Sequence, residues 1–459
     1  MVTLDNSAPP DPSATGTGRP RRERTTRVAV ASGVGTIMEF YDFAIYGTAT
    51  ALVFNKIFFN VDDPWFGTFL GFATFAVGFV MAPIGALIFG HFGDKFGRRK
   101  ALTAAFLLMG GSTLAMGVLP DYQAIGIVAP IILVFLRMVH GISRGGEIGG
   151  ATLLAAEHAP RERRGLYGAF VTLGSPVGGI LANLSFALVL LLPMEDVIAW
   201  GWRIPFLAGG LVLAIGIWTR VKISETPDFV ATTSEEDVDA PKALAVVKEN
   251  WKRVGLAAGM NIGQNCYAFL LFTFMLSFLT ESSPGRGFVR SEVVLGITVA
   301  LACHAATVVL GSYLSDRIGR KPVIGFGMVT ALLFAPYLFW VTENGSFTAC
   351  ITVISIGFAL TGFVYGPILT TFAELFPVSQ RYSGIGIGFQ VGAVLGGGFA
   401  PMIANRLVSA SGSVIPVGFY AAALMAVSLV CLLSIKESAP VIKDRREARR
   451  QADALARTH

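Results

Sequence analysis

Twelve long apolar segments constrain this chain more than any other feature of its sequence. Each has about 18 residues or more, enough for a helix to cross roughly 30 Å of hydrocarbon. Only 14% of the 459 residues are charged, against about 25% in soluble domains. The sequence therefore predicts an all-α polytopic membrane protein with twelve transmembrane helices. The segments lie at 28–54, 67–90, 101–119, 126–157, 165–192, 204–221, 253–280, 292–314, 323–341, 347–373, 383–408 and 414–435.

Basic residues are distributed unevenly between the loops that join these helices. Of the 36 Lys and Arg residues, 29 lie in the tails and in alternate loops, five lie in the opposite loops, and Arg137 and Arg144 lie within a helix. Basic loops remain on the cytoplasmic side of a membrane. We therefore expect a multi-pass protein of the cell membrane (inner or plasma membrane) with both termini in the cytoplasm. Basic residues confined to loops and tails do not indicate nucleic-acid binding.

The two halves of the chain are related to each other. The loop GDKFGRRK at 93–100 recurs as SDRIGRKP at 315–322, and the Glu, Pro and Arg of 157–164 recur at 374–381. Parallel repeats of six helices predict two pseudo-symmetric bundles. The predicted domains are a disordered cytoplasmic tail over 1–26, an N-terminal bundle over 27–222, a cytoplasmic linker over 223–250, a C-terminal bundle over 251–436 and a basic cytoplasmic tail over 437–459.

The fourth apolar segment carries charge at a depth where charge is costly. Arg137, His140, Arg144 and Glu147 are spaced three, four and three residues apart, so they share one stripe of a helix. An ionised side chain at the bilayer centre costs about 2.5–3.5 kcal/mol even on the gentler insertion scale. These groups therefore need partners and a wet cavity, which favours a transport pathway. A structural ion-pair cluster is the alternative interpretation.

Several motifs resemble those of one transporter superfamily. GHFGDKFGRRK at 90–100 is similar to the loop signature of major facilitators. Within the superfamily the chain resembles the metabolite–proton symporters, which carry shikimate, 2-oxoglutarate, citrate, or proline and betaine. The matching segments include GTIMEFYDFAIYG at 35–47, GGEIGG at 145–150, WGWRIPF at 200–206 and SETPDF at 224–229, and ATALVFNKIFF at 49–59 is most similar to the shikimate-transporter branch. The resemblance implies the major facilitator fold and secondary transport.

The repeated loops supply candidate gating residues. Retention of basic loops in the cytoplasm does not explain Asp94 and Asp316, which can accept hydrogen bonds from a helix N-terminus or an arginine. Such a loop can hold one conformation and release it in another. The candidate gating residues are Asp94, Arg98, Asp316, Arg320, Glu157, Arg164, Glu374 and Arg381.

The first helix supplies carboxylates for the charged stripe. Asp42 is similar to the first-helix Asp of sugar porters and Arg137 to the Arg that pairs with it, so the resemblance implies an Asp42–Arg137 pair, either functional or a static salt bridge. Glu39, Asp42 and Glu147 with the two arginines sum to −1, and one proton makes the cluster neutral. We predict proton coupling by Asp42 first and Glu39 or Glu147 next, with Arg137 as the cationic partner.

The second half offers uncharged hydrogen-bonding side chains at membrane depth. Arg144 in the first half can bind a carboxylate through two hydrogen bonds, or it can pair with Glu147 and only shape the cavity. For His304, a buried histidine with satisfied hydrogen bonds is the preferred alternative. The predicted substrate-binding residues are Tyr41, Tyr46, Arg144, Asn261, Gln264, Asn265, His304, Tyr365 and Gln390.

These features together predict a proton symporter that imports a small organic acid by alternating access. The alternatives are proton-coupled uptake of a zwitterion such as proline or betaine, and a facilitator or exporter of the same fold. The sequence has no HExxH motif, no metal-ligand spacing and no phosphate-binding glycine loop, so we predict no enzyme, no metal and no cofactor beyond the coupling proton. The expected partners are a small-molecule substrate and the lipid bilayer, and the expected state is a monomer.

Overall fold

A computed structural model describes most of the chain. The described residues are 21–59, 63–96, 98–221, 243–282, 285–377, 381–439 and 442. Most of the predicted N-terminal tail, most of the predicted linker over 223–250 and nearly all of the tail over 437–459 lie outside the described residues. The predicted domain boundaries therefore stay predictions.

Each of the twelve predicted apolar segments forms a helix, and nine of the helices among the described residues are long and apolar enough to cross a membrane. The all-α prediction is confirmed. We number the helices α1 (Arg21–Ala49), α2 (Pro64–Phe96), α3 (Arg98–Gly117), α4 (Val128–Arg144 and Ile148–His158), α5 (Arg164–Thr172 and Gly174–Val189), α6 (Arg203–Val221), α7 (Ala243–Phe269 and Met275–Thr280), α8 (Arg290–Ile318), α9 (Arg320–Asn344), α10 (Phe347–Leu375), α11 (Arg381–Ala393 and Ala400–Ser411) and α12 (Ile415–Ser434).

Short helical pieces extend or connect these helices. One extra residue in a turn produces a π-helix, and such turns interrupt α-helices at specific places. They occur at Thr50–Phe54, Val197–Gly201, Leu270–Phe274 and Val394–Gly398, and the short helices are Asn55–Ile57, Tyr122–Ile125, Arg161–Arg163 and Met194–Asp196.

The helices form two bundles of six. In the first bundle α1 packs on α5 and α2 packs on α4, and in the second α8 packs on α10 and α9 packs on α12. Small residues permit the close crossings that membrane helices need. At the α2–α4 crossing, a Cβ on Gly141 would overlap the carbonyl oxygen of Gly78. The bundles meet mainly where α5 packs on α8 and α2 packs on α11.

At one end of the molecule, which we call the basic end, Asp316 on α8 caps α5 across the interface between the bundles. Its two carboxylate oxygens accept the backbone N–H groups of Gly165 at 2.8 Å and Leu166 at 2.9 Å. A carboxylate at a helix N-terminus satisfies donors that have no partner within the helix and favours the helix dipole. Asp316 therefore joins the two bundles at this end.

Arg320 at the start of α9 holds the same carboxylate from within its own bundle. Its guanidinium is 2.7 Å from Asp316 and 3.2 Å from Glu374, and Arg320 is only 1% exposed. Three of the predicted gating residues thus lie together. Arg381 instead donates to the backbone oxygen of Phe376 at 3.4 Å.

The other predicted gating residues take less part in this cluster. The backbone oxygen of Arg164 accepts from Thr370 on α10 at 3.5 Å. The Nε of Arg164 has no hydrogen-bond partner within the described part of the chain. The side chains of Asp94, Arg98 and Glu157 lie outside the described residues.

The segment after α12 folds back onto the start of α9. Glu437 accepts the backbone N–H groups of Arg320 at 2.9 Å and Lys321 at 3.0 Å. The preceding Gly319 has φ +110°, a conformation that side chains with a Cβ rarely adopt. Glu437 therefore caps α9 and connects the segment after α12 to the start of α9.

The opposite end is closed by a different pair of helices. Trp65 at the start of α2 donates its indole N–H to Ser409 on α11 at 2.8 Å, and Asn405 donates to the carbonyl of Trp65 at 3.4 Å. Because the bundles touch at both ends, the structure is an occluded conformation.

We expect Asp316→Asn to open the basic end. Hydrogen bonds to a charged acceptor contribute about 1.5–3 kcal/mol each, so loss of one moves the closed–open equilibrium by roughly tenfold or more. Distances between spin labels at the exposed positions 163 and 317 should lengthen in the variant. Ser409→Ala, which weakens the opposite end, is the matched control and should not lengthen them. An unchanged distance distribution in Asp316→Asn would contradict the assignment.

Candidate functional site

The charged stripe that begins at Arg137 lies inside the N-terminal bundle. Arg137 and His140 are fully buried, and Arg144 and Glu147 are at most 3% exposed. The helix breaks after Arg144 and resumes at Ile148, so Glu147 lies in the break rather than on a continuous stripe. The interior position agrees with the sequence analysis. These described side chains are almost entirely shielded from bulk solvent in this conformation.

Arg144 finds its partner on α1. Its Nε donates to Oε1 of Glu39 at 2.9 Å, and both side chains are at most 1% exposed. The guanidinium carbon also lies 4.3 Å from the ring centre of Phe43 and 5.1 Å from that of Phe79. The Nη1 of Arg144 has no hydrogen-bond partner among the described residues. The ion pair therefore leaves part of the guanidinium unused.

The predicted Asp42–Arg137 ion pair is not formed in this conformation. None of the three guanidinium nitrogens of Arg137 has a hydrogen-bond partner in the described part of the chain. Its guanidinium carbon instead lies 3.9 Å above the ring centre of Tyr46, an arrangement in which the ring attracts the cation. Gly78 makes the space, because a Cβ there would lie 2.6 Å from Nη2 of Arg137.

Asp42 faces α3 and α4. It lies next to Thr113 on α3, and Glu147 is close enough to repel its carboxylate. The Thr113 hydroxyl donates to the carbonyl of Met109 at 3.1 Å and lies 3.5 Å from Nδ1 of His140. His140, for which the sequence indicates no role, therefore lies beside the same threonine as Asp42.

A cavity lies between the two bundles, next to this cluster. Four predicted substrate-binding residues line it, namely Gln264, Asn265, His304 and Tyr365. The centres of water molecules can occupy about 50 Å³ of it. One water needs about 10–15 Å³ by the same measure. The cavity can therefore hold a few waters, and a ligand of ten or more heavy atoms requires its walls to move.

Phenylalanine rings form much of the cavity wall, although no sequence pattern marks them as site residues. They are Phe40, Phe43, Phe269, Phe272 and Phe358. Phe43 and Phe269 approach across the interface between the bundles, with ring centres 5.8 Å apart. In a chain with 35 Phe residues, nothing in the sequence separates a ring that lines a cavity from one that faces lipid.

His304 presents a hydrogen-bond acceptor to this cavity. Its Nδ1 lies 2.7 Å from the carbonyl oxygen of Phe358, and a carbonyl can only accept, so Nδ1 carries the proton. In a neutral imidazole Nε2 is then an acceptor. The hydrogen bond that the preferred alternative for His304 requires is therefore present at Nδ1.

The remaining predicted substrate-binding residues lie outside the cavity lining. Tyr41 donates to the carbonyl of Pro205 on α6 at 2.8 Å, which fixes it against the far side of α1. Tyr46 shares a hydrogen bond of 2.6 Å with Thr74 and carries Arg137 on its ring.

On the C-terminal side, Asn261 donates to the carbonyl of Phe389 at 2.9 Å and thereby joins α7 to α11. Gln390 is fully buried, and neither of its amide atoms has a partner within the described residues. These residues do not line the cavity in this conformation, and their contact with substrate stays a prediction.

Comparison with known families identifies both halves of the chain. Residues 28–254 match the family model described as sugar (and other) transporter, and residues 286–457 match the model described as major facilitator superfamily. Among solved structures, the proton:xylose symporter XylE, bound to 6-bromo-6-deoxy-D-glucose, superposes with a TM-score of 0.72 at 16% identity, covering 91% of this chain and 97% of that one. This likeness shows the fold.

Curated relatives cover nearly the whole chain. The inner membrane metabolite transport protein YhjE of Escherichia coli K12 is 37% identical over 416 residues, which are 90% of this chain and 94% of that protein. The shikimate transporter of the same organism is 34% identical over 90% of this chain and 95% of its own length. The proline/betaine transporter of Escherichia coli K12 is 31% identical, over 90% of this chain and 84% of its own length. The chain is a membrane-spanning transporter and not an enzyme, and it belongs to the major facilitator superfamily, together with metabolite, shikimate and proline/betaine transporters.

Proposed function

We propose that this protein imports a small organic acid by proton symport, through alternating access to the cavity between its bundles. The observation that carries the proposal is a buried cluster with one more carboxyl than cations, placed beside that cavity. The shikimate transporter among the relatives supports an acid as substrate.

The proton site we propose is the Asp42 carboxyl, with Glu147 as its neighbour. Glu39 and Arg144 neutralise each other at 2.9 Å. Arg137 then stands as one cation against two carboxyls, so one proton makes the whole cluster neutral. A neutral cluster in a low-dielectric bundle has the lower energy. Uptake of that proton therefore favours the change between the conformations open to either side of the membrane. The one carboxylate that remains charged then balances Arg137.

The substrate site we propose is the central cavity. Gln264, Asn265, His304 and Tyr365 supply hydrogen bonds, and the phenylalanine rings supply an apolar surface. This combination suits a small molecule that bears both hydroxyl groups and an apolar face. Asn261 acts from behind this wall, where its hydrogen bond to Phe389 holds α7 against α11.

The assignment of the two gates to the sides of the membrane follows from the orientation that the basic loops favour. With both termini in the cytoplasm of a cell membrane, the basic end with Asp316 and Arg320 is the cytoplasmic gate. Trp65 and Asn405 then belong to the gate on the outer side. We propose that the monomer is the transporting unit and that the proton is the coupling ion.

Uptake of a zwitterion is the second candidate function. Relatives that transport proline, betaine or ectoine are 31–32% identical to this chain. Rings such as Phe269 and Phe272 can surround a quaternary ammonium group through cation–π attraction. Uptake of radiolabelled shikimate and of radiolabelled glycine betaine, measured separately, distinguishes the two functions. Uptake of glycine betaine that shikimate does not inhibit favours the zwitterion.

We expect Asp42→Asn to abolish uphill uptake while counterflow of substrate survives. The amide cannot take up the coupling proton, but it preserves the size of the side chain. Radiolabelled shikimate, citrate and glycine betaine, tested in proteoliposomes with and without a pH gradient, measure both activities. The exposed Glu195→Gln is the control with normal uphill uptake. Uphill uptake by Asp42→Asn would exclude this carboxyl as the coupling site.

We expect His304→Leu to weaken substrate affinity by roughly three- to tenfold, since one hydrogen bond contributes about 0.5–1.5 kcal/mol. The apparent affinity in counterflow is the appropriate measurement, because it does not depend on the proton gradient. The control is Cys303→Ala. Cys303 directly precedes His304 in the sequence but does not line the cavity, so this variant should leave affinity unchanged. Equal affinity in His304→Leu and the wild type would remove His304 from the substrate site.

A further inference from the structure

We infer that Arg144 is the receptor for the substrate carboxylate, and that Glu39 occupies it as an internal substitute until substrate binds and Glu39 takes up a proton. This inference rests on the proposed function and deepens it. It makes the Arg144–Glu39 ion pair the reason why substrate affinity depends on proton concentration.

The geometry of the ion pair leaves room for an exchange. Only Nε of Arg144 bonds to Glu39, through a single oxygen at 2.9 Å, although a guanidinium can hold a carboxylate with two parallel N–H groups. Nη1 of Arg144 is buried and has no hydrogen-bond partner among the described residues. A substrate carboxylate can therefore make one more hydrogen bond to Arg144 than the observed contact with Glu39 provides.

One layer of aromatic rings separates Arg144 from the cavity. Phe40 and Phe43 line the cavity, and their ring centres lie 5.8 Å and 4.3 Å from the guanidinium carbon of Arg144. Tyr365 also lines the cavity and is close enough to feel the charges of both Glu39 and Arg144. Rotation of these two phenylalanines would connect Arg144 to the cavity and also enlarge a space that now holds only a few waters.

Arg137 is the less suitable receptor. Its guanidinium lies on Tyr46 at 3.9 Å and near Phe75 at 5.5 Å. Of the rings that line the cavity, it contacts Phe43 alone within the described part of the chain, at 4.9 Å. No described carboxylate forms an ion pair with it. A cation with no anionic partner to release cannot make binding depend on a proton.

The exchange balances in charge and in protons. A substrate carboxylate brings one negative charge, and its hydrogen bonds to Arg144 replace the bond to Glu39. The displaced Glu39 would be a buried carboxylate without its cation, which is costly. One proton added to a Glu39 oxygen removes that charge, so the loaded and empty clusters carry the same net charge. This proton is separate from the one proposed for Asp42.

Other charged and titratable groups lie in the same buried cluster as Glu39 and Arg144. They are Asp42 on α1, Arg137 and His140 on α4, Glu147 in the break of α4, and Tyr365 on α10, which is close enough to interact with the charge of Glu39. Asp42 and Glu147 repel charge on Glu39 and so favour its protonation, whereas Arg137 and Arg144 oppose it. Removal of Arg144 from Glu39 by a substrate anion therefore tips the balance towards the protonated form.

The test is equilibrium binding of radiolabelled shikimate to the purified full-length chain, from mildly acidic to mildly alkaline pH. Wild-type affinity should fall as the pH rises, because ionised Glu39 competes for Arg144. Glu39→Gln should bind about tenfold or more tightly than the wild type at alkaline pH, with little dependence on pH. Arg144→Gln should lose roughly thirtyfold or more in affinity at every pH.

Two further measurements separate the possible outcomes. The double variant Glu39→Gln/Arg144→Gln has no buried charge in this pair, so it should fold and still bind weakly, which distinguishes loss of the receptor from misfolding. Glu39→Gln with the affinity and pH dependence of the wild type overturns the exchange while the proposed function stands. A wild-type chain that takes up none of shikimate, citrate or glycine betaine overturns the proposed function itself.

Discussion

The compensation of buried positive charge is the constraint on which the N-terminal bundle depends. Two arginines on α4 are shielded from solvent, and each would be costly there without compensation. The protein solves the problem in two ways. Arg144 has a carboxylate partner on α1, whereas Arg137 rests on the face of Tyr46 in a space that Gly78 leaves open. In the first arrangement another anion can replace Glu39 at Arg144. In the second, Arg137 can still pair with a carboxylate.

The two bundles differ in the chemistry that they bring to the cavity. The N-terminal bundle contributes the ionisable groups, but it places them behind Phe40 and Phe43. The C-terminal bundle contributes Gln264, Asn265 and His304 directly to the cavity wall. Charge and recognition are thus separated by one layer of rings. Movements of the two bundles that shift these rings would change both the size of the cavity and the access to charge.

The sequence was sufficient to predict the twelve helices and the inward direction of the charged stripe, because apolar length and helical periodicity determine both. It was not sufficient to choose between partners. Glu39 and Asp42 lie one turn apart on the same face of α1, so periodicity allows either to reach α4. The choice of Glu39 for Arg144 depends on how far α1 and α4 are shifted along each other, which only packing between helices sets. Tyr41 and Gln390 were predicted to bind substrate, and packing between helices places both outside the cavity lining in this conformation.

Asp316 has partners on both sides of the bundle interface, which determines what happens when the bundles separate. Arg320 lies in the same bundle at 2.7 Å, whereas the donors on α5 are neutral backbone N–H groups. Separation therefore exposes uncapped peptide groups that water can satisfy, and it leaves no carboxylate without its cation. The electrostatic energy of the ion pair stays within one bundle throughout the cycle. The contacts that must break at this end are consequently two backbone hydrogen bonds that water can replace.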